Sequence, residues 1–140
     1  QVFRPYGQVT GLAALAFAAD EDALAIRERH AFYAEGAHLW QTPDALAAYL
    51  DGVRQAGAAH LPFPEPGVAR VAVPVLRDGA LLGVLGASRT LADSESAEEA
   101  RAHLADALRT AAARLADAPA TPVDGPAPAS GRAGTPAGVS

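Results

Sequence analysis

The stretch Ala69 to Ser88, ARVAVPVLRDGALLGVLGAS, decides the fold. Two apolar runs, Arg70 to Leu76 and Ala80 to Ser88, flank the turn signal Asp78-Gly79, and that pattern predicts a β-hairpin. Side chains alternate across a strand, so each run divides into two faces. One face is bulky, with Val71, Val73 and Val75 on the first strand and Leu81 and Leu85 on the second. The other is mixed: Arg70, Ala72, Pro74 and Leu76, then Ala80, Leu82, Val84, Gly86 and Ser88. A three-residue loop, Arg77-Asp78-Gly79 with Gly79 left-handed, puts both mixed faces on one side, whereas a two-residue loop separates Arg70 from Ser88. The three-residue loop is the expectation. It yields one greasy face for helices and a second face that ends in small residues beside an arginine. Space, a guanidinium and a hydroxyl make that second face a candidate ligand floor. Close backbone packing at Gly86 and Ala87 is an equally good reading of the same residues.

Composition narrows the class. With 140 residues, half of them hydrophobic, the chain is one domain able to bury a real core. It has no cysteine, which excludes disulfides and thiolate metal sites. It also has no lysine; its 11 basic residues are all arginines, set against 16 acids for a net charge of -5. Nucleic-acid binding needs clustered positive charge, so this chain by itself is not expected to hold DNA. No run approaches the ~20 apolar residues of a membrane span, and no membrane partner is expected. Val9 to Ala19 after Arg4 has some look of a signal-peptide core, but its spacing fits an amphipathic helix. The chain starts at Gln1 and holds no methionine, as a fragment or processed product does.

Taken in order, Val2 to Tyr6 reads as extended, an edge strand, because Pro5 disfavours helix at Arg4. Val9, Leu12, Ala13, Ala16 and Phe17 predict a helix over Gln8 to Ala18. Asp20 is the expected cap of a second helix, acidic in its first turn and fading near Gly36. His38 to Trp40 reads as a short strand or an ordered loop. Thr42-Pro43-Asp44 is a helix start, Leu46, Tyr49, Leu50 and Val53 form its buried stripe, and Gly57 ends it. Gly57 to Leu61 is a candidate strand, leading through a proline-rich crossing into the hairpin. Ser96 and Glu99 have capping-box spacing, with Asp93 and Ser94 as rival caps. Leu104, Leu108, Ala111 and Leu115 then carry a long amphipathic helix to about Ala116. The expected organisation is a folded domain over residues 1–117 and a disordered tail over 118–140, rich in proline, glycine and alanine and too poor in large apolar residues to offset ordering entropy.

Motifs for chemistry are sparse. Gly79, Gly83 and Gly86 fit no dinucleotide or phosphate-loop pattern, and His30, His38, His60 and His103 lack metal-ligand spacing. No cofactor, metal or catalytic residue is expected. An enzymatic reading requires a base within hydrogen-bond reach of Ser88, and His60 is the one candidate.

Five segments then fall in a telling order: Gly11-Leu12-Ala13-Ala14-Leu15-Ala16-Phe17; Leu46 to Gly57; Glu65-Pro66-Gly67-Val68; Val71-Ala72-Val73-Pro74-Val75; and Leu85-Gly86-Ala87-Ser88. Together, over about Tyr6 to Leu115, they resemble the C-terminal effector-binding domain of the IclR-type bacterial transcription regulators. The resemblance implies an α+β, GAF-like fold, with a curved antiparallel sheet, helices packed on one face and a small-molecule pocket on the other. It also implies a cytoplasmic regulator that assembles as dimers or tetramers and binds DNA through a winged helix-turn-helix domain absent from this chain. The sensor domain would then be truncated at its N-terminus, with an exposed sheet edge.

The resemblance further implies an effector site. It places Val9, Thr10 and Leu12 at the turn into the first helix, Arg70 where a cysteine is common, and Gly86 and Ser88 where the family has two serines. His60 or Leu61 stands where an acid is usual. The expected ligand is a small organic acid or aromatic effector, its carboxylate paired with Arg70 and hydrogen-bonded by Ser88, with Gly86 leaving room. A salt bridge from Arg70 to Glu65 is the plain alternative. The alternative for the domain as a whole is a dimerisation scaffold without a ligand, its mixed face filled by Leu82, Val84 and Phe63.

Overall fold

A computed structural model describes residues 3–118. The expected disordered tail lies outside them except for Ala118. Six helices and two strands follow in the order α1 (Val9–Phe17), α2 (Asp20–Arg29), α3 (Phe32–Glu35), α4 (Ala37–Trp40), α5 (Pro43–Ala56), β1 (Val68–Arg77), β2 (Ala80–Thr90) and α6 (Ala97–Asp117). The architecture is α+β around a two-stranded antiparallel sheet.

The hairpin differs from expectation in its turn and agrees in its result. Arg77 pairs with Ala80, so the loop is the two residues Asp78 and Gly79, with φ of 53° and 80°. Two consecutive positive φ values are what a type I′ turn requires. Such a turn alone would set Arg70 and Ser88 on opposite sides. The register shifts instead between Val75 and Leu76: Leu76 pairs with Leu81, Val75 with Gly83, and Leu82 has no partner. This β-bulge adds one residue to β2 and flips every later side chain. Arg70 therefore lies directly opposite Ser88, and Ala72 opposite Gly86. The bulge also removes Leu81 from its expected place beside Leu85. Only Leu85 joins the cluster of Val71, Val73 and Val75 with Leu104, Ala105, Leu108 and Ala112 of α6.

Helices reach both faces of the sheet. The long helix α6 covers the valine face, and α1 packs over Ala72 and Val84 on the other, with Leu50 and Val53 of α5 behind it. Arg54 ties α5 to α1 by donating from Nε to the Ala16 carbonyl at the end of α1, 2.7 Å away. Leu12, Leu50 and Val73 have no solvent contact, and no polar or charged residue is buried among the described residues.

Local signals account for the best-placed helix ends. Thr42 accepts from the Ala45 amide at 3.1 Å, Pro43 opens α5, and Gly57 closes it at φ 75°. Ser96 and Glu99 form the full capping box of α6. Other expectations are corrected. Asp20 is the first residue of α2 and Ala19 precedes it as the uncapped flank; its acid acts only on the helix dipole. α2 ends at Arg29, and His38 to Trp40 form one helical turn, α4, with Trp40 buried. Gly57 to Leu61 contributes a single bridge, Ala59 to Ala72, in place of a strand. Phe3 to Tyr6 is not an edge strand either: the chain turns there, with the Gly7 amide bonded to the Arg4 carbonyl at 3.3 Å.

Candidate effector site

At the Arg70–Ser88 end of the hairpin the mixed face is open. A cavity of about 470 Å³ lies there, lined by the α1 approach Gly7 to Thr10, by Leu61 and Glu65, and by Arg70, Gly86, Ala87 and Ser88. Three features hold its walls in place.

The first wall is the start of α1. A Cβ on Gly11 would lie 2.5 Å from the Pro5 Cα, so glycine there lets the preceding turn lie against the helix. Tyr6, fully buried, fixes that turn, since its carbonyl accepts from Trp40 Nε1 at 2.8 Å and its hydroxyl donates to the His30 carbonyl. Burial pushes the Tyr6 phenol above its ordinary pKa, Arg27 opposing and Glu35 adding to the shift, so it remains a donor. The first turn of a helix has amides without intrahelical acceptors and the positive end of the dipole, both suited to an anion.

The second wall is β2. A Cβ on Gly86 would stand 2.8 Å from Thr10 Cγ2. Glycine at 86 thus admits α1 to the sheet, which realises the close-packing reading. The space beyond Thr10 and Gly86, towards Ser88, is the cavity. Neither the Ser88 nor the Thr10 hydroxyl makes a hydrogen bond to another described side chain.

The third wall is the proline-rich crossing. Phe63 packs on Trp40 with ring centroids 5.2 Å apart, and Trp40 on Tyr49 at 5.0 Å. That aromatic cluster pins the segment and presents Leu61 and Glu65 to the cavity. Burial raises the Tyr49 phenol pKa, partly offset by its hydrogen bond from the His60 amide. Glu65 accepts from Arg70 Nε at 3.0 Å, and both side chains are part-exposed, 27% and 42%. A pair so open to solvent is worth about 0–1 kcal/mol and is readily exchanged for another partner.

Of the residues singled out in the sequence, Val9, Thr10, Arg70, Gly86 and Ser88 share this cavity. Leu12 does not: one helical turn on from the cavity edge, it is fully buried in the core with Leu50 and Ala72. His60 lines an adjoining cavity of about 310 Å³ with Arg101, separated from the first by the shared Leu61, Glu65 and Arg70. Its Nδ1 lies 3.2 Å from the Leu61 carbonyl, and its ring meets Tyr49 edge-on, so it is not a base for Ser88. Gly7, Gln8 and Ala87 are lining residues that the motifs did not single out as ligand contacts; their neighbours in sequence were the only signal. Among the described residues, no cluster of three or more histidine, aspartate or glutamate side chains could hold a metal, and no helix is long and apolar enough to cross a membrane.

The fold is found in solved structures. The chain is similar to an IclR transcriptional regulator of Alicyclobacillus acidocaldarius, with 22% identity over 83% of this chain and a TM-score of 0.59. It is similar to the C-terminal domain of the Escherichia coli transcriptional regulator KdgR, with 24% identity over 80% of the chain and a TM-score of 0.59. It is likewise similar to the inducer-binding domain of the PobR transcription factor of Acinetobacter, a double mutant in complex with 3-hydroxybenzoic acid (21%, 80% and 0.59). The chain spans 46% of the Alicyclobacillus regulator, 68% of the KdgR domain and 66% of the PobR domain. No protein-family model and no curated protein matches the sequence. The chain has the fold of these regulator domains, so the resemblance carried by its ordered segments holds at the level of architecture.

Proposed function

We propose that this chain is the small-molecule sensing and oligomerisation domain of an IclR-type, DNA-binding transcriptional regulator, working in the cytoplasm as a GAF-like module of a longer protein. The observation that carries the reading is the cavity at the Arg70–Ser88 end of the hairpin, with an arginine and the hydroxyls of Thr10 and Ser88 beside a helix start. The solved inducer-binding domain with its hydroxybenzoate supports a small-molecule ligand for a fold of this kind. Arg70 would pair with an effector carboxylate, with Ser88 and Thr10 supplying hydrogen bonds. Binding would act by favouring one arrangement of the subunits over another, through unequal affinity for the two. A ligand-free scaffold would fill the mixed face. Val84 and Phe63 do pack against the α1 and α5 core, but Leu82 is 54% exposed near the turn, and the Arg70 end of the face holds a cavity. That contrast favours sensing.

Calorimetry with a panel of small organic acids tests the proposal. A charged hydrogen bond of about 1.5–3 kcal/mol predicts that Arg70→Ala weakens the acids that bind by about 10- to 100-fold. Equal affinities in the two proteins would remove Arg70 from the site, and no binding by any acid would favour the scaffold. Sedimentation of the same chain with and without a bound acid reads out the oligomerisation half of the proposal.

A further inference from the structure

The charges that line the cavity constrain its ligand further, if the sensing proposal holds. Among the described residues, Arg70 and Glu65 are its only charged lining residues, and they face each other at 3.0 Å. An arginine alone would suit a plain carboxylate. A carboxylate drawn to this arginine, however, arrives beside a second carboxylate already bound to it, and like charges at such range repel. The cavity is balanced as it stands, one cation against one anion. A ligand that takes over both halves of the pair, anion to Arg70 and cation to Glu65, preserves that balance and leaves neither group unpaired.

We infer that the effector is a zwitterion of amino-acid type, its carboxylate on Arg70 and its ammonium on Glu65. Three observations converge on this. The pair is part-exposed on both sides, so a ligand can replace it without uncovering a buried charge. The two side chains lie side by side, in contact at 3.0 Å, so a ligand that carries both charged groups on one carbon can reach both members once the pair parts. The remaining polar lining groups are Gln8, Thr10 and Ser88, and Ser88 stands directly across the strands from Arg70, where a carboxylate has oxygens left to accept hydrogen bonds. Leu61 and Val9 leave apolar wall for a side chain.

The test is a thermal-shift and calorimetric series in which each of the twenty L-amino acids is set beside the acid that lacks its amino group. At least one amino acid is expected to bind ten or more times more tightly than its des-amino counterpart. Glu65→Gln is expected to abolish that advantage while leaving the des-amino acid within about threefold or improved, and Glu65→Asp, which keeps the charge, to retain part of it. Des-amino acids that bind as tightly as their amino acids would overturn the inference and leave the sensing proposal intact. An advantage that survives Glu65→Gln would do the same. Failure of every amino acid to bind overturns the inference as well, and the organic-acid panel on wild type and Arg70→Ala then decides the sensing proposal separately.

Discussion

Towards α6 the hairpin presents Val71, Val73 and Val75, each at most 5% exposed, whereas the opposite face changes character along its length. Near Ala72 and Val84 that second face is closed by α1; at Arg70, Gly86 and Ser88 it stands open. The same two strands thus carry a sealed surface and a surface sealed only in part. The sealed surface joins the hairpin to its helix. The open end is free to vary chemically, because little stability depends on it, and a ligand site on a rigid sheet needs that freedom.

Substitutions on the two faces can break this contrast or sharpen it. Val73→Ala removes two methyl groups from the fully buried side and is expected to destabilise by about 2–3 kcal/mol in urea unfolding, with no selective effect on ligand binding. Gly86→Ala puts a methyl group against Thr10 Cγ2 and is expected to cost about 1–2 kcal/mol. Thr10→Ser removes that contact, so the double variant should recover most of the loss; a purely additive result would mean that the α1–β2 approach does not set the cavity wall.

Arg70→Ala, by contrast, should change stability by less than about 1 kcal/mol, since its ion pair is part-exposed. A large loss of stability there would abolish the distinction between the two surfaces. At the far end of β2, Arg89 holds Glu95 through two hydrogen bonds of 2.7 and 2.6 Å, and with the Ala92 amide this lowers the Glu95 carboxyl to about 2. A carboxyl lowered on folding stabilises above its unfolded value near 4.5 and loses that contribution as the pH falls towards 2. The difference between wild type and Glu95→Gln should therefore be constant above about pH 5 and shrink below it. Smallest of all, Leu82→Ser at the exposed bulge should lie within about 0.5 kcal/mol of wild type.

Local chemistry was legible where it acts over a few residues. The Thr42 cap, the left-handed Gly57 and the Ser96–Glu99 box each need only a side chain and a backbone amide one turn apart, and all three are formed. His38 to Trp40 misled because Trp40 is ordered by a distant partner, the Tyr6 carbonyl 34 residues earlier, which no window on the sequence contains. Leu12 and His60 misled for a related reason. Both belong to segments that border the cavity, but a helical rotation buries one and the loop at Leu61 turns the other into the neighbouring space.

By itself the sequence determined that two strands would pair across Asp78-Gly79, that valines would seal one side, and which helices would cap and stop where they do. These follow from side-chain alternation, turn sterics and hydrogen bonds between near neighbours. Only the tertiary structure decided that Arg70 would face Ser88, because the two-residue turn alone gives the opposite answer and the bulge at Leu82 reverses it. A bulge is selected by packing on both sides of a sheet at once, α6 against the valines and Thr10 against Gly86, and those contacts lie far apart along the chain.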